Sequence, residues 1–292
     1  MADTLGQANV RSLDIDRALK GFSDESFVFK NFLTVTPTVA REIRWWQKTS
    51  GVLKNVTTTG ITGSINEVGP HAFGTLGPVQ EQSSTRMTSY VKHYTQWSPW
   101  FTYADIRDSD PDMFAANLRD LKRAVENKID YRILDVLSGT CLLSGSAAGT
   151  GWADGTNGNP FLDLLSGSME IRKQGYDIQN VVALVHPDNF KEGVNYFVTT
   201  KGSSVPQFAS GVVQDGVITK IANVRIVVSN NCTKGQVLMM VPQRAATWKT
   251  FTPLTAVTKD EPAIGTQIRI WEDGDVIFTD PNAVFLLKNV GV

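Results

Sequence analysis

His71, His93 and His186 are the only histidines in this chain, and Cys141 and Cys232 its only cysteines. A zinc site needs Cys and His at close, repeated spacings. H-E-x-x-H sets two imidazoles on one helix face, and a calcium loop alternates Asp and Asn around a central Gly. None of these patterns occurs, and the five residues are scattered along the sequence. Asp154, Asn157 and Asn159 could offer oxygens to Ca²⁺, but in a Gly-rich run they read first as turn formers. The loop 138–160, with Ser144-Gly145-Ser146-Ala147-Ala148-Gly149, superficially resembles a phosphate cradle. It lacks the terminal Lys-[Ser/Thr], the preceding apolar strand and the G-x-G-x-x-G spacing that phosphate-binding loops use. No G-x-S-x-G elbow is present. His186, between an apolar run and Pro187, suits a cap or turn. No catalytic residue, metal ligand or cofactor is expected, and the chain does not read as an enzyme.

The elements that would have to carry any chemistry are better defined. The spacing predicts one long amphipathic helix over 110–138. Asp110 suits the cap, Pro111 the first helical position and Gly139 the left-handed stop. Phe114, Leu118, Leu121, Val125, Ile129, Ile133 and Leu137 recur every three or four residues, with charge expected on the opposite face. There Lys122 with Glu126, and Arg132 with Asp135, would add only tenths of a kcal/mol. At ~1.5 Å per residue the helix is about 43 Å long. That is a rod as wide as a small domain.

Directly before it, residues 51–92 are Gly-rich and charge-poor, with only Lys54, Glu67, Glu81, Arg86 and Lys92 charged. From Thr85 to Trp97 every second residue alternates, as in a strand. The expectation is a long two-stranded hairpin with its tip around 69–77. Isolated ribbons of this kind are marginal in water, so it should rest on something else. Residues 1–50 carry Phe27, Phe29, Phe32, Trp45 and Trp46 in a segment too short for these groups to bury one another. They must lie either on the chain's own core or on a neighbour.

The remainder alternates helix and strand. A helix is expected from Pro160 to near Gly175, capped by Asn159. An apolar strand follows at 181–186, then a helix from Pro187 to about Thr199. A hairpin pair at 216–220 and 224–228 and a strand at 236–241 complete an α/β layer block. Two long strands over 245–278, joined near Lys259-Asp260-Glu261-Pro262, and an apolar strand at 283–289 end the pattern.

With 292 residues, 41% hydrophobic, the chain can bury a sizeable core. Its formal net charge of −1, from 28 basic and 29 acidic residues, excludes a dedicated reader of nucleic-acid sequence. Two distant cysteines point to free thiols in a reducing compartment. No apolar stretch approaches a membrane span.

An aromatic arm, an extended hairpin, the turn Asp108-Ser109-Asp110-Pro111-Asp112 opening a long helix that ends Ile129-Asp130-Tyr131-Arg132-Ile133-Leu134-Asp135-Val136-Leu137-Ser138-Gly139, and then the stretches 181–190 and 216–229 follow one another here. This order resembles the major capsid protein of tailed bacterial and archaeal viruses, over nearly the whole chain. The resemblance implies an α+β, Hong Kong 97-like capsid fold. It implies an N-terminal arm at 1–49 and an extended loop, the long β-hairpin, at 50–96. A peripheral domain would take 97–139 and 244–279, with its spine helix at 110–138, and an α/β axial domain would take 140–243 and 280–292.

What the resemblance implies for function is a non-enzymatic virion protein assembled in the host cytoplasm. It would self-assemble through hexamers and pentamers into an icosahedral shell around double-stranded DNA, held without sequence specificity. Expected contacts between subunits are Phe27, Phe29, Phe32, Trp45, Trp46, Ile65, Val68, Pro70, His71, Phe73, Lys259, Asp260 and Glu261. Residues 55–91 contain no Lys, so the isopeptide crosslinks of some members are not expected from that loop. The short span before the hairpin argues for a separate scaffolding protein, or none, over a fused one. A portal is a further expected partner, a decoration protein is left open, and no membrane is involved. An encapsulin-like nanocompartment shell and, from another class, a soluble α/β enzyme using the 138–160 loop stay open as alternatives.

Overall fold

The computed structural model describes residues 29–48, 73–74, 84–102, 111–154, 156–177, 179–197 and 220–291, the side chains of 111–116 excepted. The chain divides into two compact units, each built from three stretches. The first takes 1–43, 88–136 and 246–277, the second 44–87, 137–245 and 278–292.

In the first unit, β11 (Ala246–Glu261) and β12 (Gly265–Phe278) are the two long strands expected. At ~3.3 Å per residue β11 is about 50 Å long. Their join lies just beyond Glu261, because Pro262 has no N–H to continue a ladder. Ala263 is left-handed at φ 66° and the Ile264 N–H donates to the Glu261 carbonyl at 3.1 Å. β1 (Thr34–Pro37) pairs parallel with β11, Val35 opposite Trp248. β4 (Lys92–Trp97) pairs antiparallel with β12, Arg269 opposite Trp97, and β5 (Phe101–Thr102) adds to the same strand at Gly265. Gly265 has φ 146°, and a Cβ there would stand 1.8 Å from the Phe101 carbonyl oxygen, so only glycine lets the two strands meet.

Helix α1 (Pro111–Gly139) forms at the expected place, and Leu118, Leu121, Val125, Ile129 and Ile133 are buried. Its buried face is wider than the apolar stripe. Lys122 and Glu126, expected on the solvent face, are 1% and 3% exposed, with Nζ and Oε1 3.4 Å apart. A buried pair must answer a desolvation cost that a surface pair never meets.

The unanticipated feature is the run Trp271-Glu272-Asp273-Gly274-Asp275 on β12. Glu272, fully buried, accepts from Trp248 Nε1 at 3.0 Å and from Lys30 Nζ, whose ammonium lies 5.4 Å from the centre of the Trp248 ring. Asp275, also fully buried, accepts from Arg132 Nε of α1 at 3.2 Å and from the Ser89 hydroxyl. One strand therefore ties the chain near residue 30, the segment at 89 and α1 to itself. Burial raises the Glu272 carboxyl above its ordinary range, opposed by Lys30 and Trp248.

The alternation at 85–97 is not one strand. It breaks at Val91, whose N–H donates to the Arg41 carbonyl at 2.9 Å, into β3 (Ser84–Tyr90) and β4. β3 pairs with β2 (Glu42–Lys48) as a two-stranded ribbon, whereas β4 joins the β12 sheet. A period of two shows that residues are extended, but it does not name their partner.

The second unit holds a six-stranded sheet in the order β6 (Leu143–Ser146), β13 (Val284–Lys288), β10 (Gln236–Met240), β7 (Val182–Val185), β9 (Val224–Val228), β8 (Lys220–Ile221). β7 and most of β10 and β13 are buried at successive residues, as expected of continuous apolar runs. α2 (Pro160–Lys173) starts at Asn159, whose side chain accepts from the Leu162 N–H, and the chain turns at Gly175, φ 88°. Gly167 lets α2 approach the sheet, since a Cβ there would lie 2.6 Å from Met239 Sδ and 2.9 Å from the Phe285 ring. α3 (Pro187–Asn195) is capped by His186 Nδ1, which accepts from the Asp188 N–H at 3.1 Å. The β8–β9 hairpin turns on Ala222 and Asn223, both at positive φ, as a two-residue loop of primed type does. Of the strand expected at 216–220, residues 216–219 lie outside the described residues.

Gly265→Ala should destabilise the subunit by about 2 kcal/mol or more, since backbone cannot yield as a side chain can. Denaturant unfolding of the variant checks this. Lys30→Met strands a buried carboxylate and should cost about 3–5 kcal/mol, whereas Glu272→Gln keeps an amide oxygen for the Lys30 ammonium and should cost less. A carboxyl raised in the folded state holds its proton longer than in the unfolded chain. Stability should therefore fall as pH climbs above the ordinary Glu range, more steeply in Lys30→Met. Denaturation midpoints measured across pH would show the difference in slope.

Candidate assembly surfaces

On β2, the adjacent tryptophans point to opposite sides, as strand geometry demands. Trp45 is half-buried and its Nε1 donates to the Phe278 carbonyl at 3.1 Å. Trp46 is 65% exposed. Phe73 stands fully in solvent and Phe32 is half-buried. Phe29, expected at a neighbour, is instead 1% exposed, and its N–H reaches Asp130 Oδ1 at 3.4 Å. Its own unit closes over it and leaves no ring surface for another chain. Phe27, Ile65, Val68, Pro70 and His71 lie outside the described residues.

Lys259, Asp260 and Glu261 come together at the β11–β12 join. Lys259 Nζ is 3.4 Å from Glu261 Oε2 and 5.8 Å from the centre of the Trp100 ring, and Thr266 donates to Asp260 Oδ1 at 2.7 Å. Much of their charge is therefore answered within the hairpin itself. Beside them Val257 and Ile264 are exposed apolar groups that no sequence pattern singled out. Tyr90, 65% exposed on β3, was missed as well, although the alternation through Tyr90 already set it on the side away from Ser89. Val39, 97% exposed between β1 and β2, carried no signal beyond its type.

Polar groups of the loop 147–158 are taken up by the loop and its immediate neighbours. Asp154 accepts from the N–H groups of Thr156 and Asn157 at 2.9 and 3.1 Å, which hold its carboxyl below the usual range. Asp163 receives Trp152 Nε1 at 3.0 Å and the Ala148 N–H at 3.2 Å, while burial raises its carboxyl. The Trp152 N–H goes to the Val290 carbonyl. These N–H groups cannot also cradle a phosphate. Cys232 is buried and Cys141 half-buried, neither is in a disulfide, and burial raises the Cys141 thiol, which leaves it a poor nucleophile. Among the described residues, no group of three or more His, Cys, Asp or Glu side chains could hold a metal ion. No described helix is long and apolar enough to cross a membrane.

What is built, then, is a set of exposed aromatic and aliphatic groups on strands and turns, with polar contacts devoted to holding the backbone. The phage capsid protein family model matches residues 100–287. No curated protein matches the chain by sequence. Among solved structures, a virus-like particle from Pyrococcus furiosus is similar with a TM-score of 0.61 at 10% identity, over 94% of this chain and 98% of that one. The capsid of Cyanophage P-SCSP1u is similar with a TM-score of 0.63 at 12% identity, over 90% and 88%. The holo-SrpI encapsulin complex from Synechococcus elongatus PCC 7942 is similar with a TM-score of 0.57 at 12% identity, over 88% and 85%. Identities this low speak for the fold alone, and the family match carries the rest. This chain belongs to the phage capsid protein family and has a Hong Kong 97-like capsid fold.

Proposed function

We propose that this structural capsid protein is the major one of its shell, and that it assembles through hexamers and pentamers into an icosahedral container for double-stranded DNA. The observation that carries this reading is the β2–β3 ribbon, a two-stranded element with Trp46 in solvent. A two-stranded ribbon is marginal by itself; this one is tied to its own subunit through Trp45, Lys48 and Ser89, yet it leaves the Trp46 and Tyr90 rings in water. That exposed aromatic surface is covered when the ribbon lies on another copy, which couples its burial to assembly.

On this reading residues 1–49 are an arm, 50–96 an extended loop, 97–139 with 244–279 a peripheral domain, and 140–243 with 280–292 an axial domain. Trp45, Trp46, Phe32, Phe73 and the Lys259–Glu261 turn meet neighbouring copies, with Phe27, Ile65, Val68, Pro70 and His71. Rings of such head-to-tail contacts close into five- and six-fold clusters that tile a shell. A portal is its partner during assembly in the host cytoplasm, with a separate scaffolding protein or none. A decoration protein would have the outer surface to bind. A net charge of −1 suits a wall that packs against itself and meets DNA without reading it. The internally satisfied loop at 147–158 weighs against the enzyme reading.

The similarity to an encapsulin supports a second reading, a shell loaded with protein cargo. The ratio of absorbance at the nucleic-acid and protein maxima of purified particles separates the two, since only a genome-bearing shell is dominated by nucleic acid.

Deleting residues 60–77 should leave a folded subunit that no longer forms closed shells. Negative-stain images showing normal particles from that variant would end the role assigned to the loop. Trp46→Glu should change subunit stability by no more than about 0.5 kcal/mol, as exposed substitutions do. It should nonetheless reduce the yield of particles on a density gradient.

A further inference from the structure

Asn-Gly occurs once in this chain, at Asn157-Gly158 in the turn that leads into α2. A glycine after asparagine has no side chain to shield its nitrogen, and such a pair can react with itself. The Gly158 nitrogen attacks Asn157 Cγ, an N–C bond forms as the Cγ–Nδ2 bond breaks, and ammonia leaves. Water then opens the cyclic imide to aspartate or isoaspartate. The net change is an amide NH2 replaced by OH, with one negative charge gained when the new acid ionises.

The fold requires half of this pair. A Cβ at Gly158 would stand 2.5 Å from the Gly151 carbonyl oxygen and 2.6 Å from that of Asp154, both backbone atoms that cannot yield. Asn157 is exposed, so burial does not keep water from it. Asp154 engages both reacting groups instead. Its carbonyl oxygen accepts the Gly158 N–H at 2.9 Å, and its Oδ2 accepts from Asn157 Nδ2 at 3.3 Å. An ionised carboxylate only accepts, so the amide must turn its nitrogen toward Asp154. The other oxygen, Oδ1, fixes the backbone between them through the N–H groups of Thr156 and Asn157. Gly149 closes the far side, where a Cβ would lie 2.7 Å from both Asn157 Cβ and Asp154 Oδ2. For the reaction to start, the Gly158 nitrogen must give up the proton it donates, and the amide must leave Asp154.

We propose that Asn157 is a site of spontaneous deamidation in this protein and that Asp154 is the residue that holds it closed. Conversion would reinforce itself. It replaces a donor facing Asp154 Oδ2 with a second carboxylate, and like charges at that contact repel. The proposal stands on the loop alone and does not depend on the shell reading.

Full-length protein is incubated in mildly alkaline buffer, folded or in urea, and the tryptic fragment 133–172 is followed by mass spectrometry. That fragment holds only one other asparagine, Asn159, and the Pro160 nitrogen that follows it has no proton to lose, so Asn159 serves as an internal control. Because reaction proceeds from the opened loop, Asn157 should convert at least about tenfold faster in urea than in the folded chain. In Asp154→Ala, shown to be folded by its denaturation midpoint, conversion should speed up several-fold. Asp154→Glu, which keeps the charge but displaces the oxygens, takes its place if the alanine variant does not fold. Trp152→Phe removes the bond from Nε1 to Asp163 and leaves the Asp154 contacts, so its rate should stay near that of the unaltered protein. Equal rates in folded and unfolded chains, or a folded Asp154 variant no faster than the unaltered protein, overturn the proposal. So does a Trp152→Phe rate as high as that of the Asp154 variant, since general order of the loop would then be the protection.

Discussion

Two carboxylates with no exposure on a single strand set the terms for the first unit. Glu272 and Asp275 sit where an isolated charge would be far too costly, so each must be answered by a donor. The donors come from distant parts of the chain: Lys30 before β1, Ser89 at the end of β3, Trp248 on β11 and Arg132 on α1. Hydrophobic burial brings these elements together without saying which neighbour is which. The carboxylates add that information, because an arrangement without these donors would strand a buried charge.

The second unit is organised by apolar packing. Its central strands are buried at nearly every position, and α2 can approach β10 and β13 only because Gly167 presents no side chain. The contrast has a physical sense within the assembly proposed here. A unit whose pieces come from three distant stretches of chain benefits from polar ties that specify register. A packed α/β block can rely on close-fitting volume.

Much of this was legible in the sequence. The start of α1 follows from Pro111, the strand at 182–185 from an unbroken apolar run, and the cap of α2 from Asn159 before Pro160, whereas Gly139, expected as a left-handed stop, is the last helical residue and has no positive φ. Local signals do well where the cause is local. The failures share the opposite origin. Nothing in Thr85–Trp97 marks Val91 as a break, because the change of partner there, from β2 to β12, is set by segments distant in sequence. Lys122 and Glu126 carry the spacing of a solvent-exposed pair, and only tertiary packing turns them inward. Phe29 could have faced either a neighbour or its own core, and an aspartate 101 residues away on α1 is part of what holds it in. The exposed candidates Val257 and Ile264 stand out only once the β11–β12 join is seen in three dimensions.

The place of β13 in the second sheet bears on synthesis. It lies between β6 and β10, yet in the chain it follows every other strand of that sheet. While the ribosome is still making residues 284–288, β6 has no hydrogen-bonded strand beside it and β10 is open along one edge. Closing the sheet requires contacts of very long sequence separation, which form late. A nascent polypeptide therefore cannot complete this sheet until residues 284–288 have emerged from the ribosome, long after β6 was made.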